Sequence, residues 1–175
     1  MASIFGHSIV GYTLYKVIDN KNLKWLILAA IFSTILPDFD VIGFRMDVPY
    51  ESPLGHRGFS HSILFALLWS LLLMFTIGRK HKVIWFLVIF LSTLSHGLLD
   101  ALTTGGEGVG FFIPFENSRY FFPWRVIKVS PLSIGSFFTE WGMQVIWSEI
   151  KYIFLPCFMV LTVRFLVNLF KVKLT

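Results

Sequence analysis

The sequence predicts an all-α, polytopic membrane protein: a single membrane-embedded domain over residues 1–175 with four or five transmembrane or membrane-inserted helices. Three observations carry that prediction. The 175 residues are 55% hydrophobic and only 14% charged, with a mean hydropathy of +0.73, whereas soluble domains average about 25% charged residues. Apolar runs of helical length recur along the chain. The charges between those runs also sort by side.

The runs cover residues 4–18, 23–36, 61–77, 83–103 and 150–170. Crossing a bilayer core takes about 20 residues, or about 17 at the shortest. The last three runs meet that length. The first two are short, so each spans only with its polar ends included, or forms a half-inserted hairpin. Gly97 and Pro156 interrupt the last two runs, which membrane helices tolerate when neighbours re-satisfy the backbone. The opening Met1-Ala2-Ser3-Ile4-Phe5-Gly6-His7 lacks a basic leader and a small-residue cleavage site, so a removable signal peptide is not expected. Cys157 is the only cysteine, which leaves no internal disulfide.

One set of run ends carries Lys16, Lys21, Lys24, Arg79, Lys80, Lys82, Lys171 and Lys173 against the single acid Asp19. The opposite set carries Arg45, Arg57, Arg119, Arg125, Lys128 and Lys151 with nine acids, and Arg164 lies inside the last run. Basic residues favour cytoplasmic loops. The compact turn Gly78-Arg79-Lys80-His81-Lys82 is the strongest such signal, so the basic loops are expected in the cytoplasm. Thin, juxtamembrane basic residues do not suggest nucleic-acid binding. Residues 104–149 fall on the other side and are crowded with aromatics, among them Phe111, Phe112, Phe121, Phe122, Trp124, Trp141 and Trp147. Too polar for a span and too aromatic for a free loop, this stretch reads as an extracytoplasmic interfacial cap.

That topology also brings the candidate site together. Short links at 19–22 and 78–82 on the basic side place Asp38, Asp40, His56, His61, His96 and Asp100 at the opposite face, and an outward-starting first helix adds His7. Ionisable groups at membrane depth are costly and mark function, and histidine with carboxylate is a ligand set for zinc or a similar divalent ion. His96 and Asp100, four apart, share a helical face; they could ligate a metal or simply hydrogen bond at a helix end. His56 and His61 flank Arg57 and Ser60 in a loop that leads into the third helix, where Ser60 could act as its cap. Arg57 offers a planar fork for a phosphate or carboxylate. Asp38 and Asp40 follow Pro37; one could ligate metal while the other orients a water as general base, or Asp38 could merely end the helix. His7 is the weakest ligand candidate on its own. Thr103-Thr104-Gly105-Gly106 reads as a loop whose backbone N–H groups face the site. No nucleophile elbow accompanies Ser60 or Ser62.

Taken together, Leu36-Pro37-Asp38-Phe39-Asp40, His56-Arg57-Gly58-Phe59-Ser60-His61-Ser62 and Ser95-His96-Gly97-Leu98-Leu99-Asp100-Ala101-Leu102-Thr103-Thr104-Gly105-Gly106 resemble the YbcI/YdjM family of bacterial inner-membrane proteins, described as membrane-bound metal-dependent hydrolases. The stretch Phe122-Pro123-Trp124-Arg125-Val126-Ile127-Lys128-Val129 extends the resemblance to nearly the whole chain. The family is thought to be distantly similar to zinc-dependent phospholipase C and nucleases of the P1 type. That resemblance implies a ligand set of His7, Asp38 or Asp40, His56 or His61, and His96 with Asp100. Those soluble enzymes carry a further His-x-x-x-Glu or His-x-x-x-Asp that this chain lacks, so it implies one or two zinc or similar ions rather than three. Asp38 or Asp40 would serve as base and Arg57 would hold a lipid-like or other phosphoester substrate at the outer face. The alternative is a non-enzymatic membrane protein whose His/Asp cluster is structural or carries ions or protons. The sequence leaves the oligomeric state open.

Overall fold

The computed structural model describes residues 1–131 and 134–173, and its regular structure is helical. The apolar runs become α1 (Ile4–Ile18), α2 (Lys24–Ile35), α3 (Ile63–Thr76), α4 (Lys82–Ala101) and α7 (Leu155–Lys173); a short α5 (Ile134–Phe137) and α6 (Glu140–Glu149) precede the last. Three helical stretches are long and apolar enough to cross a membrane: Lys24–Met46, Lys82–Ala101 and Glu140–Lys171.

Two of these stretches differ from the runs read off the sequence. Beyond Ile35 the chain does not stop at Pro37-Asp38 but continues as a 3-10 helix, Leu36–Met46, and the added turns bring the second run to spanning length. Residues 140–149 belong to a continuous helix with α7, joined by a π-helical turn at Ile150–Phe154. The third run is shortened instead: Phe59–His61 forms a single 3-10 turn and α3 holds only 14 residues. Its N-cap is Ser62, whose hydroxyl accepts the Phe65 N–H at 3.0 Å. The expected capping residue, Ser60, has another partner, described below.

Helices α1, α2, α3 and α4 pack as a group, and α7 lies against α1. Small residues set the closest approach. A Cβ on Gly11 would fall 2.9 Å from the Thr34 side chain and 3.0 Å from the Ala30 carbonyl, so α1 and α2 meet backbone to backbone there, as small residues allow between membrane helices. Tyr15, Leu26, Ala30, Leu73, Trp85, Val88 and Ile89 form an apolar core toward the basic-loop end. By contrast Phe158, Met159, Val163, Phe165 and Leu166 of α7 stand exposed, as suits a face solvated by lipid tails.

Residues 104–131 cross over the other end with little regular structure, tied by isolated bridges between Thr103 and Ile127 and between Val109 and Tyr120. Further backbone bonds run from Gly110 N–H to the Arg57 carbonyl and from Ile63 N–H to the Phe111 carbonyl. The stretch is therefore fastened to the loop before α3.

Candidate metal centre

Four helix ends meet under that crossing segment: the start of α1, the α2–3-10 junction, the start of α3 and the end of α4. His7, His61, His96 and Asp100 are buried, and Asp38 nearly so. Ligand-capable atoms of Asp38, His61, His96 and Asp100 all lie within 4.8 Å of one another. The Nε2 atoms of His61 and His96 are 3.0 Å apart. His96 Nε2 lies 3.2 Å from Asp38 Oδ1 and 3.9 Å from Asp100 Oδ2, while His61 Nε2 lies 3.8 and 3.7 Å from the same oxygens. Tetrahedral zinc with bonds of about 2.0–2.1 Å sets its ligand atoms roughly 3.3–3.4 Å apart. The observed spacings straddle that value.

Hydrogen bonding fixes the tautomers. His96 Nδ1 is 2.6 Å from the Thr34 carbonyl, which only accepts, so Nδ1 carries a proton and Nε2 is the nitrogen that faces the cluster. The Ser60 hydroxyl donates to Asp40 Oδ2 at 2.6 Å and lies 2.9 Å from His61 Nδ1; Asp40 Oδ2 itself is 3.2 Å from that nitrogen. Both neighbours accept, so His61 Nδ1 also carries a proton and its Nε2 faces the cluster. Facing each other at 3.0 Å, these two Nε2 atoms call for a proton or a cation between them. Asp38 Oδ1 and Asp100 Oδ2, pointed at the same place, have no hydrogen-bond partner. This donor set fits a divalent ion.

Asp40 occupies the next layer. Its carboxylate accepts from His56 Nδ1 at 2.6 Å, from the Arg57 N–H at 3.0 Å and from Ser60. A carboxylate behind a histidine fixes ring orientation and raises ligand basicity. Asp40, His56 and His61 also form a second constellation able to hold an ion. The backbone explains why Asp38 and Asp40 part company: at three residues per turn, positions two apart point to different sides, one into the helix cluster and one toward the 56–60 loop.

Arg57 adopts a left-handed backbone conformation, φ +62°, unusual for a residue with a side chain. Its N–H is held by Asp40 and its carbonyl by Gly110, which turns the guanidinium inward and buries it. Nε lies 3.0 Å from Asp100 Oδ2, a charge contact whose N–H is not aimed at the oxygen. Nη1 donates to the Gly105 carbonyl and Nη2 to the Thr103 hydroxyl. The 103–106 loop therefore supplies acceptors to Arg57, where the sequence suggested N–H donors to the site. Gly106, at φ +85°, leaves room for this: a Cβ there would meet Nη1 at 2.5 Å.

His7 stacks on His96 with ring centroids 3.9 Å apart, and its Nε2 lies 3.5 Å from Asp100 Oδ1. Neither of its nitrogens has a hydrogen-bond partner. Exposure rises only at one edge, where the side chains of Asp38, Asp40 and His56 reach 10%, 8% and 7%. Tyr50 packs edge-on against His56 at that edge, and burial pushes its phenol above the ordinary pKa of 10.

All of His7, Asp38, Asp40, His56, Arg57, His61, His96 and Asp100 thus share one end of the bundle. The YdjM inner membrane protein family model matches residues 1–173. The chain belongs to that family. It is 43% identical over 165 residues to Inner membrane protein YbcI of Escherichia coli (strain K12), covering 89% of this chain and 92% of the relative. No solved structure matches. Membership makes this an inner-membrane protein, and its three long apolar helical stretches make it multi-pass.

Sequence reasoning missed the supporting shell. The Thr34 carbonyl gave no signal, since a backbone acceptor is invisible in residue identity. Arg119 was read only as a loop charge, yet its guanidinium donates to the carbonyls of His56, Tyr50 and Ser52 and so pins the loop that carries two of the histidines. Its spacing from the motifs offered no clue.

Proposed function

We propose that this YdjM-family protein is a metal-dependent hydrolase whose Asp38–His61–His96–Asp100 cluster holds a divalent ion, zinc by donor type; the Asp40–His56–His61 group could hold a second only by giving up the His61 Nδ1 proton. The observation that carries the reading is the pair of imidazole Nε2 atoms 3.0 Å apart, with Asp38 Oδ1 and Asp100 Oδ2 beside them and without a hydrogen-bond partner. A bound divalent ion would lower the pKa of a ligated water toward about 7 and polarise a phosphoryl or acyl oxygen.

The chain's own residues take distinct parts. Asp38 stands at the more exposed edge with a free oxygen, so it is the carboxylate placed to ligate there or to accept a proton from incoming water. Asp40 is occupied by His56, Arg57 and Ser60 and acts by orienting His61. Arg57 neutralises and positions Asp100 in place of clamping substrate, because its donors already face Asp100, Thr103 and Gly105. Phe39, Ile42, Phe44 and Met46 are exposed around the open edge. Such an apolar rim suits an amphiphilic phosphoester, and with the basic loops cytoplasmic the site faces the periplasm beneath the 104–131 crossing.

Metal analysis of protein purified in detergent tests the first step: about one or two bound ions are expected, lost in His96→Ala. Stoichiometry near zero and unchanged by that substitution would overturn it. Hydrolysis of a phospholipid panel with added Zn²⁺ or Mn²⁺, lost in His61→Ala and Asp100→Ala variants that still fold, tests the second. The enclosure of His7, His61, His96 and Asp100 favours one rival, a closed structural centre of the kind four protein ligands form. Retained metal without turnover of any phosphoester would establish that rival.

A further inference from the structure

At the end of the bundle opposite the metal centre, a cavity of about 490 Å³ lies between α1 and α7. Lys16, Arg164, Asn20, Asn22 and Asn168 supply its polar wall, and Leu161 and Phe165 its apolar wall. Arg164 is seven residues before Lys171 on α7, so at 1.5 Å per residue it lies roughly 10 Å deeper along the helix. A cation at that depth calls for a partner. Its Nε donates to the Lys16 carbonyl at 3.1 Å, which caps the end of α1 and favours a positive charge there. Capping engages one N–H of the guanidinium. Among the described residues no carboxylate lies within ion-pair distance of Arg164 or Lys16. Lys16 Nζ rests over the Tyr12 and Tyr15 rings at 5.7 and 5.4 Å. The one acid in the wall, Asp19, is turned to its own backbone and accepts from the N–H groups of Lys21 and Leu23.

We propose that this cavity binds the phosphate headgroup of an anionic phospholipid in the leaflet on the basic-loop side. An arginine fork matches phosphate oxygens in bidentate fashion, Lys16 adds a second charge, and the three asparagines can donate to headgroup hydroxyls or ester oxygens. Basic pockets between membrane helices on the cytoplasmic side have this chemistry. The apolar wall continues into exposed α7 residues such as Phe158 and Phe165, along which acyl chains would lie. That continuity selects a lipid over a free phosphate.

Native mass spectrometry of detergent-purified protein titrated with phosphatidylglycerol, phosphatidylcholine or inorganic phosphate tests the proposal. Phosphatidylglycerol should be retained in preference to phosphatidylcholine, with millimolar phosphate unable to displace it. Lys16→Gln should lower its retention roughly fivefold, the effect of one basic residue near an anionic surface, and adding Arg164→Gln should lower it further. Lys16→Gln removes no hydrogen bond from the fold, so it keeps the test valid if the double variant fails to fold. Equal retention of the two lipids, unchanged retention in Lys16→Gln, or binding of inorganic phosphate alone would overturn the proposal.

Discussion

At the end of the helix bundle that the 104–131 segment crosses, histidines, carboxylates and one arginine are drawn together from four helix ends and enclosed; at the basic-loop end, the lysines and arginines with described side chains stand apart, half-buried or exposed, around an apolar core. The contrast lies in how each charge is compensated. Every ionisable group at the first end has a charged or hydrogen-bonding neighbour within 4 Å, and the assembly still leaves ligand-capable atoms converging on one point. At the second end, cations rely on backbone carbonyls, aromatic faces and water. Compensation by specific partners makes the first end rigid and sensitive to single substitutions. Compensation by solvent makes the second tolerant.

Substitutions at the two ends break or sharpen that contrast. The largest effect is expected from Asp100→Asn, which leaves the buried Arg57 without its counter-charge and should cost about 3–5 kcal/mol, read by denaturant or thermal unfolding in detergent. Asp40→Asn removes the negative charge and one of the two acceptor oxygens behind His56 and His61 and should weaken metal binding about 10–100-fold, read by competition with a chelating dye, while the fold persists. Gly97→Ala places a Cβ 3.0 Å from the His61 carbonyl and 3.2 Å from the Phe111 ring; a cost of about 1–3 kcal/mol from crowding is expected, accompanied by weaker metal retention because the His61 turn must shift. The smallest effect belongs to the basic turn, where Lys80→Ala should stay within about 0.5 kcal/mol and leave bound metal unchanged. A Lys80 variant as damaging as Asp100→Asn would erase the distinction between the ends.

Much of the site was legible because its residue types are so costly in an apolar chain. His56, His61, His96 and Asp100 stood out from their surroundings, and the placement of short basic links was enough to carry them to one face. His7, weak as an isolated residue, gains its meaning from stacking on His96. The division of labour between Asp38 and Asp40 was not legible, since it follows from the 3-10 helix, and nothing in Pro37-Asp38-Phe39-Asp40 announces that the chain continues through it to Met46. Arg57 read as a free phosphate clamp because a sequence shows a guanidinium but not the carbonyl of Gly105, the hydroxyl of Thr103 or the carboxylate of Asp100 that face it.

Local chemistry by itself determined the helical membrane class, the apolar runs and the set of side chains too expensive to leave unpaired, because each depends on residue type and spacing alone. Which nitrogen carries a proton, which carboxylate faces the centre and which stands behind it depend on groups dozens of residues away. Thr34 reaches His96, Asp40 reaches His61 and Arg119 reaches His56 only once the helices have packed. Those assignments belong to the tertiary structure, since a hydrogen-bond direction is set by its partner and the partners meet only in the fold.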